Sequence, residues 1–207
     1  MLSNKFKITV TVAALAFAAA ACGGGAATDA GSTASGPTAS SSGHDMSAMS
    51  PTTPAGAAFN DADVMFAQMM IPHHEQAVEM AELAESRASD QEIKDLAAKI
   101  KGAQDPEIQT MKSWLTAWGK PVPSGGMNHD MPGIMSASEM KELEAAKGAA
   151  FDRKFAKMMI AHHKGAVDMA RTEQRDGTNP EAVALAKAIE TAQQEEIAQM
   201  EKLLARL

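Results

Sequence analysis

The sequence predicts an all-α fold: an antiparallel four-helix bundle built from two duplicated αα-hairpins. Three observations carry that expectation. The chain is rich in Ala and has 16 methionines but no tyrosine, so good helix formers outnumber β-branched runs. It also repeats itself, with 11 identities in 16 positions between residues 66–81 and 155–170, a spacing of 89. Finally, helix start and stop signals fall at corresponding places in the two copies.

The elements follow in order. A first helix over 61–87 carries the cassette MMIPHHEQAVEMA at 69–81. The segment SDQE at 89–92 fits a capping box, with a Ser side chain and a Glu three residues on satisfying free N–H groups. It opens a second helix over 90–118, which Gly119 and Pro121 close. SASE at 136–139 opens a short helix near 138–147, and a fourth helix over 150–175 carries the second cassette, MMIAHHKGAVDMA, at 158–170. Gly177 ends that helix; Asn179 with Pro180 then starts a fifth over 180–206. The register of the repeat runs on, pairing Leu96, Ile100, Gln104, Glu107, Ile108 and Met111 with residues 89 positions later. Two copies at this spacing are an internal duplication, about 59–118 and 148–207, and not a solenoid. Pro72 and Pro106 should each remove one helical hydrogen bond and bend the helix without ending it, because the second copy has Ala161 and Glu195 there.

Residues 1–58 read differently. Lys5 and Lys7 precede an apolar stretch from Ile8 to Ala21, the pattern of a signal peptide over 1–21. It is shorter than the ~20 apolar residues that span a bilayer. Cys22 is the only cysteine and follows this stretch directly, as in a bacterial lipobox, although Ala19 stands where such boxes carry Leu. Lipidation there would hold the protein on the outer side of the cell membrane and leave no thiol for a disulfide or a metal. Residues 22–58 are mostly Gly, Ala, Ser, Thr and Pro and read as a flexible tether. The formal charge is −7, which excludes nucleic acid as a partner because no basic face is available.

Helical periodicity then aims particular residues inward. At ~100° per residue, Phe66, Met70, His73, Ala77 and Met80 share a stripe, as do Phe155, His162 and Met169. On the partner helices Glu107 and Glu196 fall on the apolar stripes. One His and one Glu per repeat are thus expected inside, with His74 and His163 at the flank. Buried charge needs a partner. Two readings stay open: a hydrogen-bonded His–Glu network completed by Gln104 and Gln193, or a metal ion held between the halves.

Met69 and Met70 precede His73 and His74 by four residues, and Met158 and Met159 precede His162 and His163 likewise. Such i, i+4 pairs of thioether and imidazole can hold one ion from a single helix. Thioethers select Cu(I), and imidazole accepts Cu(I), Cu(II) or Zn(II). The competing account is that methionine fills a core of small alanines, which suits Met80, Met111, Met169 and Met200. The loop segments HDMSAM at 44–49 and GGMNHDMPGIM at 125–135 fit that account less well, and Met127, His129 and Met131 become ligand candidates. Alternatively Met131, Ile134 and Met135 tuck under the helices as an apolar flap.

With both HH cassettes and both Q-x-x-E-I segments in register over 59–207, the chain resembles the domain of unknown function 305 family, and within it exported lipoprotein members. The resemblance implies a ferritin-like helical bundle outside the cytoplasm, and some relatives are implicated in copper binding or tolerance. Carried over by position, the implied ligands are His73, His74, His162 and His163 with Met69, Met70, Met158 and Met159. The tether departs from a metal-rich pattern, with only His44, Met46 and Met49.

The leading expectation is a membrane-anchored, extracytoplasmic protein that sequesters or passes on copper, with homo-oligomerisation left open. A ferritin-like oxidoreductase is the rival, but the E-x-x-H pairs of di-iron bundles are absent: Met70 and Met159 stand where the Glu would be. A purely structural envelope module is the third. No H-E-x-x-H or G-x-S-x-G supports hydrolysis.

Overall fold

The computed structural model of the chain describes residues 58–124 and 131–207. Among them are five helices and no strand: α1 (Asp61–Arg87), α2 (Gln91–Ala117), α3 (Ala137–Ala145), α4 (Ala149–Asp176) and α5 (Pro180–Leu204). The protein is all-helical, as expected. No described helix is long and apolar enough to cross a membrane.

Local chemistry sets the boundaries. Asn60 caps α1, accepting from the N–H groups of Ala62 and Asp63, while Asp63 accepts in return from the Asn60 N–H at 2.6 Å. Ser136 and Glu139 form the same reciprocal box on α3, and Asn179 caps α5 ahead of Pro180. The start of α2 differs from expectation. Its cap is Asp90, which accepts from Glu92 and Ile93, so the box read from Ser89 is not the one formed. Ser89 instead donates through N–H and hydroxyl to Asp152 on α4. Both interior prolines, Pro72 and Pro106, lie within unbroken helices.

Asp152 and its counterpart Asp63, 89 residues earlier, clamp the two halves reciprocally. Asp63 receives the N–H groups of Thr178 and Asn179, at the turn before α5; Asp152 receives those of Ser89 and Asp90, at the turn before α2. Further contacts set the direction of the helices. Gly148 N–H donates to the Arg87 carbonyl, and the Asn60 side chain donates to the Asp176 carbonyl. Each end of α1 therefore meets the opposite end of α4, and these two helices run antiparallel. Helix α1 also packs on α2, and α4 on α5.

The buried apolar residues divide into two clusters. One joins Ala77–Ala84 of α1 with Ile93–Ile100 of α2, Phe151–Met159 of α4 and Met200–Leu203 of α5. The other joins Val64–Ile71 with Ile108–Leu115, Ala166–Ala170 and Ala186–Ile189. On both α1 and α4 the HH pair sits between them. A polar belt thus crosses the middle of the molecule.

Candidate metal centre

All four cassette histidines are fully buried. The expectation that His74 and His163 lie at the flank is overturned. Helix α1 packs against α2 on one side and α4 on another, so neighbouring positions ~100° apart are both covered. His73 turns toward α4, where its ring lies 3.8 Å from that of His162, centroid to centroid, at a tilt of 43°. His74 turns toward α2, where its Nε2 is 2.8 Å from Glu107 Oε2. The other repeat does the same: His163 Nε2 is 2.9 Å from Glu196 Oε2. The glutamates therefore partner the second histidine of each pair, not the first. Glu196 is buried and also meets Lys99 at 3.4 Å, while Glu107 is one-fifth exposed.

The third hydrogen bond to a cassette histidine comes from a segment of the crossover connection. Residues 131–135 lie against α1 and α4 as a strap. His73 Nε2 donates to the Pro132 carbonyl at 3.1 Å. Gln76, buried on α1, clasps Met135 with both ends of its amide, donating to the carbonyl at 2.9 Å and accepting from the N–H at 2.8 Å. On α4 the position equivalent to Gln76 is Gly165, and a Cβ there would strike the Pro132 carbonyl. Gly133, at φ 78°, sits over the same helix; a Cβ on it would come within 2.8 Å of the Ala161 and His162 carbonyls. One repeat clasps the strap and the other makes room for it.

These hydrogen bonds settle which ring nitrogen carries the proton. A carbonyl or carboxylate only accepts, so Nε2 of His73, His74 and His163 is the protonated atom. In a neutral ring Nδ1 then holds a lone pair, and none of these three Nδ1 atoms has a hydrogen-bond partner. Neither ring nitrogen of His162 meets a partner in good hydrogen-bond geometry, although the His73 backbone is near enough to oppose the fall in its pKa. Burial pushes the His73 pKa down to about 3; a proton on His74 or His163 would press it lower, and the Pro132 carbonyl opposes. His162 is held well below the ordinary imidazole value, first by burial and then by the neighbouring histidines. Burial also lowers His163, with Glu196 pulling the other way. Buried imidazole lone pairs without partners are costly and rare in folded proteins. They are also what a metal ion binds.

The remaining predicted ligands are dispersed. Met70 and Met159 are buried, one in each apolar cluster, and Met69 and Met158 pack at the edges of those clusters. Met131 and Met135, the two ends of the strap, are both buried, which agrees with the apolar-flap alternative. Met127, His129, Cys22, His44, Met46 and Met49 lie outside the described residues. Among the described residues no three His, Cys, Asp or Glu side chains are grouped as a ready metal cage. Sequence reasoning missed the Pro132 carbonyl, Gln76 and Gly165. The last two were detectable as a Gln/Gly mismatch inside an otherwise well-matched repeat.

Residues 63–204 match the family described as domain of unknown function DUF305. The chain belongs to the DUF305 family. Solved DUF305 structures share its fold. A fragment from Deinococcus radiodurans is 31% identical at TM-score 0.66, covering 72% of this chain and 98% of the other. A Streptomyces coelicolor protein described as secreted is 34% identical at TM-score 0.66, covering 70% and 93%. CopM in its Cu(I)-bound form is 36% identical at TM-score 0.60, covering 70% and 96%, and CopM has also been solved with Cu(II) and with Ag. No curated protein matches the sequence.

Proposed function

We propose that this DUF305 protein is a non-catalytic, extracytoplasmic copper binder that takes up the ion as Cu(I) at the HH pairs of an antiparallel, ferritin-like four-helix bundle. The observation that carries the reading is the set of bare, buried Nδ1 atoms on His73, His74 and His163, beside the fully buried ring of His162. In metal sites a ligating imidazole characteristically donates its other N–H to a carboxylate or carbonyl, which fixes the tautomer and raises ligand basicity. Glu107, Glu196 and the Pro132 carbonyl stand in that position here, behind the rings, so the glutamates orient ligands and are not ligands themselves. Lowered pKa values keep the His73, His162 and His163 rings neutral near pH 7, so no proton has to leave these three before an ion binds. Met69, Met70, Met158 and Met159 supply soft donors one helical turn away, which favours Cu(I) over Zn(II). Support also comes from the copper- and silver-bound forms of CopM and from the secreted description of the Streptomyces relative. Anchoring through lipid on Cys22 completes the proposal.

A titration of the purified protein with Cu(I), Cu(II), Zn(II) and Fe(II) tests it. Tight binding of Cu(I) that is lost in the H73A/H74A/H162A/H163A variant is the expected result. Equal Cu(I) affinity in that variant would remove the histidines from the site. Retention of iron without copper would favour the oxidoreductase.

A further inference from the structure

We infer that a methionine-lined cleft between α1 and α4 is a capture site for a monovalent soft cation, Cu(I) or Ag(I). This inference rests on the copper reading above and adds the route by which the ion reaches the histidines. The cleft has a volume of about 470 Å³ and is walled by Met65, Phe66 and Met69 of α1, Met169 of α4, and Pro132 of the strap. Met65 and Met69 are one turn apart on one helix face. Met65 is 60% exposed, at the solvent end, whereas Met169 is buried. Pro132, itself exposed, also lines the cleft, and its carbonyl is the one that holds His73. Thioethers thus line a cleft that borders the residue whose carbonyl holds His73.

Charge favours the same direction of travel. Asp61, Asp168 and Asp176 also line this cleft, with no Lys or Arg among its walls. A cleft of one charge sign concentrates the opposite ion. The internal repeat supplies a comparison within the same molecule. The counterpart of Met65 in the second copy is Lys154, which pairs with Glu142 of α3 at 2.7 Å, so no exposed thioether stands at that position. Duplication alone would have preserved both faces. One half has an exposed thioether at this position, and the other has an ammonium group in an ion pair.

The test uses the full-length protein with 13C-methyl methionine and Ag(I) as a redox-inert probe, signals being assigned by single Met→Leu variants. Ag(I) below one equivalent should shift the methyl signals of Met65, Met69 and Met169. Leucine conserves volume and apolar character, so M65L/M169L, which leaves Met69 in place, should fold normally. It should accept Cu(I) from a chromophoric Cu(I) chelator about tenfold more slowly than the wild type, with unchanged final occupancy. Loading at the wild-type rate with those methyl signals unmoved overturns the capture site and leaves the histidine reading intact. A wild-type protein that takes up neither ion overturns both.

Discussion

His73 and His162, one from each repeat, meet ring to ring at 3.8 Å across the centre of the molecule without a hydrogen bond joining their side chains. Residues 89 apart in sequence become neighbours because α1 and α4 run antiparallel and cross at the position of the cassette. The contact leaves imidazole nitrogens facing a closed, largely apolar interior. Its behaviour with pH follows directly.

Acid should unfold the protein early. His73 has a folded-state pKa of about 3 against an ordinary 6.5, and His162 and His163 are shifted the same way. The unfolded chain therefore binds these protons more tightly than the folded one. Their contribution to stability is complete above pH 6.5 and falls as pH drops toward 3. Thermal melts between pH 7 and 5, above most carboxylate titration, should show a falling Tm. The H73Q/H162Q variant should show a flatter curve; an equally steep one would place the effect elsewhere.

Alkali should weaken the molecule at another place. Glu173 on α4 is buried beside Asp63, and burial first, then that carboxylate, raises its pKa to about 8. For Asp63, burial acts upward, but the N–H groups of Asn60, Asn179 and Thr178, with the protonated Glu173, outweigh it and hold it low. An acid with a raised folded-state pKa stabilises most below its unfolded value and loses that contribution as pH rises through about 8. Glu173→Gln keeps a donor toward Asp63 without the titration. The variant should melt higher than the wild type at pH 9 and show little difference at pH 4, as read by calorimetry.

Two glycine substitutions should have opposite signs. Gly165→Ala drives a methyl group into the Pro132 carbonyl, so the strap must shift and His73 loses its acceptor. A loss of roughly 1–3 kcal/mol is expected, as for overpacked interiors. Gly102, inside α2, has nothing within 4 Å of a built Cβ. Gly102→Ala should stabilise by about 0.5–1 kcal/mol through lower chain entropy. Denaturant unfolding of both variants checks the pair, and a stabilising Gly165→Ala would refute the fit of the strap.

Removing the carboxylate behind a histidine should act on stability and on metal affinity. Glu196→Ala strands the His163 Nε2–H in a closed interior and should cost about 1–3 kcal/mol without metal. Glu107→Ala should cost less, because solvent reaches that carboxylate. Both should weaken Cu(I) binding about 10–100-fold, the usual range for outer-sphere partners of ligating histidines. Melting curves and chelator competition separate the two effects; unaltered affinity would make the His–Glu pairs architectural only.

Much of this protein was legible in its sequence. Local signals carried the all-helical class and nearly every helix boundary: Asn179 ahead of Pro180, the Ser136–Glu139 box, and Gly119 at φ 65° after α2. These depend on residues within a turn of one another, so chain order contains them. The 89-residue repeat likewise announced that two HH pairs and two Glu residues would be arranged alike. Tertiary structure alone decided who partners whom. Periodicity assigns one apolar stripe to each helix, yet α1 and α4 are covered from several sides, so His74 and His163 are as buried as His73 and His162. Nor could the sequence say that Asp63 and Asp152 reach across to the turn of the other half, or that a connecting segment offers its Pro132 carbonyl to His73. Helix propensity and capping act over a few residues, whereas burial and hydrogen-bond pairing depend on which distant surfaces cover a helix once the chain has folded.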